Sequence, residues 1–118
     1  MTNYNKMFQD RTKRLAIAII KEVSVLPYSD AVSVIRKQVI RSSTSVAANY
    51  RAMCCARSEN ERFAKLSIVV EEADETLFWL EIIEEFKLIS SDRLFDLFNK
   101  VEEIVKATAS YRKKMKGI

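Results

Sequence analysis

Among 118 residues there is no histidine, one glycine, one proline and two cysteines, and each scarcity removes a class of protein. Without histidine there is no Ser-His-Asp or Cys-His nucleophile, no helical His pair for zinc and no Glu-x-x-His motif for a di-iron bundle. The single glycine, Gly117, excludes a Gly-rich phosphate loop. One Gly and one Pro also leave too little turn chemistry for a sheet, whose strands need a turn about every 8 to 12 residues. Cys54 and Cys55 are adjacent. A helix points neighbouring side chains about 100° apart, so they read as reduced thiols packing as small hydrophobes rather than as a disulfide. No apolar run approaches the ~18 residues of a membrane span, and no signal-peptide pattern opens the chain; the expected location is cytoplasmic, with no membrane partner.

What remains is a composition rich in Ala, Leu, Ile, Val, Glu, Lys and Arg, arranged at helical period. A first stripe carries Phe8, Leu15, Ile19, Val23 and Leu26, widened by Ala16 and Ile20, and Pro27 ends it. A second starts at a Ser29 or Asp30 cap and continues through Val32, Ile35, Val39, Ser42, Val46, Tyr50 and Met53 at steps of three and four. A third opens on Ser58 and Glu61, a capping-box pair, with the stripe Phe63, Leu66, Val70, Ala73, Leu77 and Leu80. The fourth, capped by Ser91 or Asp92, carries Leu94, Leu97, Val101, Ile104, Thr108 and Tyr111. The expected helices span about 5–26, 29–56, 59–86 and 91–114. Short connectors cannot cross the length of a bundle, so residues 1–118 predict a single all-α domain, an antiparallel up-down-up-down four-helix bundle. Ile17, Val25, Val34, Ile40, Ile68, Phe78, Trp79, Ile82 and Phe98 fall outside the seams, and this apolar surplus predicts a homo-oligomer.

Charge is distributed unevenly along the chain. Residues 1–57 hold ten Lys or Arg against three acids, net +7; residues 58–110 hold six against thirteen, net −7; the tail adds Arg112, Lys113, Lys114 and Lys116. The basic residues Arg11, Lys13, Arg14, Arg36, Lys37, Arg112, Lys113 and Lys114 are candidate nucleic-acid contacts. The reading that competes with this is a solvated helix face with a cationic C-terminus that complements the helix dipole.

Two stretches are complementary: QVIRSSTSVAANY from Gln38 to Tyr50, and FAKLSIVVEEADETLFWL from Phe63 to Leu80. An antiparallel hairpin sets Arg41 opposite Glu72, Gln38 opposite Glu75 and Ser45 opposite Ile68. Gln38, Arg41, Ser42, Asn49, Glu72 and Glu75 are therefore expected as a structural polar core, with Arg41 and Asn49 buried and fixing register. Glu71, Glu72, Asp74 and Glu75 also invite a metal, but Arg41 neutralises them; neither a metal nor a cofactor is expected.

On Gln38, Arg41, Ser42, Ser45, Ala48 and Asn49, and on Phe63 followed by EEADETLFWLE from Glu71 to Glu81, the chain resembles the 23S rRNA intervening-sequence protein family. The resemblance implies a small bundle assembling into homopentamers. It also brings in a related branch, the accessory variability proteins of diversity-generating retroelements, implicated in partnering a reverse transcriptase and binding nucleic acid. Where many family members follow the Asn with an apolar residue, an acid and a glycine, this chain has Tyr50, Arg51, Ala52 and Met53, so helix two is expected to run on. The function expected is a non-enzymatic oligomer that binds RNA, DNA or a nucleic-acid enzyme through basic surfaces. The alternative is a protein-protein scaffold or adaptor with no nucleic-acid role.

Overall fold

The computed structural model describes residues 1–116 as four helices, α1 Asn3–Ser24, α2 Asp30–Cys54, α3 Glu59–Glu85 and α4 Ser91–Lys116. Gly117 lies outside the described residues. Each start has a local cause. Thr2 Oγ1 accepts the Asn5 amide at 3.0 Å, which opens α1 two residues before the expected start. Ser29, not Asp30, caps α2 by accepting from Val32 N at 3.0 Å. Ser58 caps α3 by accepting from Glu61 N at 3.1 Å, the forward half of the capping box. The ends are equally specific. The Arg36 guanidinium reaches back from α2 and donates to the carbonyls of Val23 and Leu26, at 3.3 and 3.2 Å, where α1 stops.

Contacts across the helices set their directions. The Tyr50 hydroxyl donates to Asn5 Oδ1 at 3.2 Å, joining the end of α2 to the start of α1. Arg62 at the start of α3 donates to the Tyr111 hydroxyl near the end of α4, at 2.6 Å, and Arg93 at the start of α4 lies 3.5 Å from Glu22 at the end of α1. Sequential helices are antiparallel neighbours, and α1 closes the bundle against α4.

The core follows the expected seams on α2 in full and on α1 and α4 except at Ile20, Leu26 and Tyr111, which are only half-buried. On α3 the register differs. Leu66, Val69, Ala73, Thr76, Leu80 and Ile83 are buried, whereas Phe63, Val70 and Leu77 are only half-covered. Apolar side chains stand at both 69 and 70, so hydrophobicity alone does not choose. At 76 and 77 a hydroxyl decides: Thr76 lies 2.9 Å from the Ser42 hydroxyl across the seam, and it bonds the Glu72 carbonyl at 2.8 Å. α2 runs past Asn49 to Cys54, as the missing glycine implied.

α3 ends in a Schellman arrangement. Leu88 N donates to Ile83 O at 3.2 Å and Lys87 N to Glu84 O at 3.0 Å, with Lys87 at φ 55°. Lysine bears the Cβ penalty of this left-handed conformation, which glycine avoids. Lys87→Gly is therefore expected to raise stability by about 1 kcal/mol, read as a higher urea midpoint with an unchanged slope; an unchanged or lower midpoint contradicts it.

Candidate nucleic-acid interface

Antiparallel packing regroups charge that the linear sequence separates. The starts of α1 and α3 and the ends of α2 and α4 share one end of the bundle, built from residues 1–8, 50–66 and 107–115. There Lys6, Arg51, Arg57, Arg62, Lys65, Arg112, Lys113 and Lys114 stand against only Glu59 and Glu61. The opposite end, residues 19–36 and 80–96, sets Lys21, Arg36, Lys87 and Arg93 against Glu22, Asp30, Glu81, Glu84, Glu85, Asp92 and Asp96. The bundle is thus charged along its axis, basic at one end and acidic at the other. Arg51, Arg57, Arg62 and Lys65 belong to the basic end although sequence reasoning assigned them no contact; Arg62 and Lys65 sit inside a stretch whose net charge is negative.

The expected contact residues divide accordingly. Arg112, Lys113 and Lys114 lie on the basic end, the first half-buried and the other two exposed. Lys13 is exposed near the middle of α1 and borders, with Arg51, a groove of about 400 Å³ between α1 and α2 that Ile17, Ile20, Ala47 and Ala48 make mostly apolar. Arg11 pairs with Glu103 across the α1/α4 gap, and Arg14 lies 3.5 Å from Asp10. Arg36 and Lys37 stand far from the tail, toward the acidic end, and Arg36 is occupied as the cap of α1.

The polar residues of α2 and α3 form a second cluster, on the outside of the bundle. Arg41 donates to Glu72 Oε2 at 2.8 Å, to Glu75 and to Gln38 Oε1, the last at 3.1 Å. Burial would raise the Glu75 carboxyl, but the Trp79 indole N–H, 3.1 Å away, and the Arg41 guanidinium outweigh it and hold Glu75 below the ordinary carboxylate range. Glu72 and Glu75 are thus engaged with cations and donors, while Glu71 and Asp74 are exposed. Of the six expected core residues only Ser42 is fully buried. Arg41 keeps 48% of its side chain exposed, because a long side chain can cover apolar surface while its charged head stays in water. Asn49 is half-buried and donates to the Ser45 carbonyl and hydroxyl, at 2.9 and 3.0 Å, within its own helix rather than across the seam. Burial, with Cys55 alongside, pushes the Cys54 thiol up, which keeps it protonated. Among the described residues no three Cys, Asp or Glu converge as metal ligands, and no helix is long and apolar enough to cross a membrane.

The family model described as 23S rRNA-intervening sequence protein matches residues 5–110. A crystal structure of a protein of unknown function from the S23 ribosomal protein family of Bacteroides thetaiotaomicron is similar in fold. It superposes with a TM-score of 0.84 at 30% identity, covering 92% of this chain and 97% of that one. No curated protein matches the sequence.

Because Arg41 is half exposed, its ion pairs are screened, and Arg41→Met is expected to cost about 1 kcal/mol rather than the ~3 to 5 kcal/mol of a stranded buried charge. Chemical denaturation reads the difference directly. A loss above about 3 kcal/mol would mean that the arginine is desolvated in the assembled protein.

Proposed function

The chain belongs to the 23S rRNA-intervening sequence protein family, and on that footing we propose that it is a non-enzymatic, homo-oligomeric bundle that binds RNA or DNA through the basic end of each copy. The observation that carries this reading is the collection of eight basic residues against Glu59 and Glu61 at one end, where folding sets Lys6, Arg51, Arg57, Arg62 and Lys65 beside the tail run Arg112, Lys113 and Lys114. Such a patch attracts phosphates and releases their counterions. Repetition of the patch in a symmetric oligomer multiplies its field, and the same surface suits an acidic face on a nucleic-acid-processing enzyme such as a reverse transcriptase.

The oligomer is supported by apolar surface the single bundle leaves uncovered. α3 carries exposed apolar residues as well as exposed acids. Beyond its buried seam, Phe78 is 49% exposed, packed edge-on against Trp79 with ring centroids 5.0 Å apart, and Ile68 is also exposed. On α2, Val34 is 56% exposed. Ile40, Trp79, Ile82 and Phe98 are partly buried against the core instead, so only part of the expected surplus remains at the surface. The pentamer follows the family resemblance.

Light scattering at low micromolar concentration is expected to give about five times the 13.6 kDa of one chain; a mass of one chain contradicts the assembly. Fluorescence anisotropy with a single-stranded RNA is expected to show binding that weakens steeply with salt. Reversing Arg112, Lys113 and Lys114 to Glu should flatten the slope of log affinity against log salt by about 2, at ~0.7 per phosphate contact. Lys21→Glu with Lys87→Glu, at the acidic end, should leave it unchanged. Equal flattening by both sets overturns the basic-end assignment. Absence of any binding at ~50 mM salt up to tens of micromolar protein turns the reading to the scaffold.

A further inference from the structure

Three of the grooves that border basic residues differ in chemistry. The α1/α4 cleft, about 300 Å³, is spanned by the Arg11–Glu103 pair and is lined as well by Asp10, so its charge is largely internally compensated. The α1/α2 groove is mostly apolar. The third, about 320 Å³, opens at the basic end between the start of α1 and the end of α4. It is lined by Tyr4, Ala107, Ser110, Tyr111 and Lys114. Ala107 and Ser110 make it concave because they are small, and its size sits at the lower end of small-ligand clefts, roughly 300 Å³ and above.

Its aromatic wall is held in place. Tyr4 packs against Phe8, itself buried, with ring centroids 4.8 Å apart, and meets Tyr111 edge-on at 5.8 Å. The Tyr111 hydroxyl accepts from Arg62 at 2.6 Å, and Arg62 Nε lies 3.5 Å from Glu59. Tyr4 nevertheless leaves 44% of its surface exposed. An exposed ring that is braced by two other rings, beside a lysine at the positive end of the molecule, is a stacking platform with a phosphate contact next to it.

We propose that this notch takes one unstacked base of a single-stranded nucleic acid on the Tyr4 ring, with an adjoining phosphate on Lys114. The inference rests on the nucleic-acid reading above and sharpens it. A duplex offers its phosphates but keeps its bases stacked, so the basic end binds both forms by charge and only the single strand gains the ring.

The test compares fluorescent single-stranded RNA with a duplex of equal phosphate number, by anisotropy at one moderate salt concentration. Tyr4→Leu is expected to weaken the single strand by about 5- to 100-fold, the range for loss of one base–aromatic stack. Tyr4→Phe should remain within about twofold of the parent, and duplex affinity should be unchanged in both. The salt slope should also be unchanged in Tyr4→Leu, since no charge is removed. Thermal unfolding of each variant checks that the exposed substitution leaves the bundle folded. Tyr4→Leu without effect on the single strand, or weakening strand and duplex alike, overturns the stacking notch while leaving the basic end intact as an electrostatic site. A parent protein that binds neither form overturns the nucleic-acid reading and the notch with it.

Discussion

Links of four or five residues are the constraint on which this structure depends. The chain leaves one helix at Ser24, Cys54 and Glu85 and enters the next at Asp30, Glu59 and Ser91. A five-residue link reaches at most about 18 Å, whereas a 22-residue helix is about 33 Å long. Each helix must therefore double back on the one before it. That single requirement brings the basic end of the first hairpin, Arg51 and Arg57, against the basic tail of α4. It also brings the acidic end of α3 against Asp92 and Asp96. A chain that reads as a basic half followed by an acidic half folds into a rod polarised along its length, which neither half alone displays.

Register within that topology is set by small polar pairs rather than by hydrophobic bulk. Ser42 and Thr76 are both fully buried; each hydroxyl reaches a carbonyl of its own helix, Val39 or Glu72, and the two lie 2.9 Å apart across the seam. Above them, at the surface, Arg41 bridges Glu72 and Glu75. A one-position slip of α3 would carry Thr76 away from Ser42 and lose the hydroxyl contact across the seam. The arginine bridge, half in water, reinforces the same alignment more weakly.

The seams of α2 and α4 were legible in the sequence because one stripe at steps of three and four runs their length, and most of that of α1 was read in the same way. α3 was not, since Val69 and Val70 both satisfy the pattern and the choice between Thr76 and Leu77 rests on a partner in another helix. The pairing of Arg41 with Glu72 was legible from antiparallel spacing; its exposure was not, because spacing says nothing of how far a long side chain reaches toward solvent. Lys37 and Lys114 look alike as basic residues on helices, and only the three-dimensional arrangement places them at different levels of the bundle. Tyr4 precedes the expected start of α1 and was invisible as a site residue until the Thr2 cap brought it into the helix beside Tyr111.

The central claim is that nucleic acid meets one end of the bundle. Ultraviolet crosslinking of the intact protein to single-stranded RNA, followed by mass spectrometry of the modified peptides, addresses that end directly. Crosslinks confined to residues 1–8, 50–66 and 107–115 are the predicted result. Crosslinks concentrated in residues 19–36 and 80–96, or spread evenly along the helices, would contradict it.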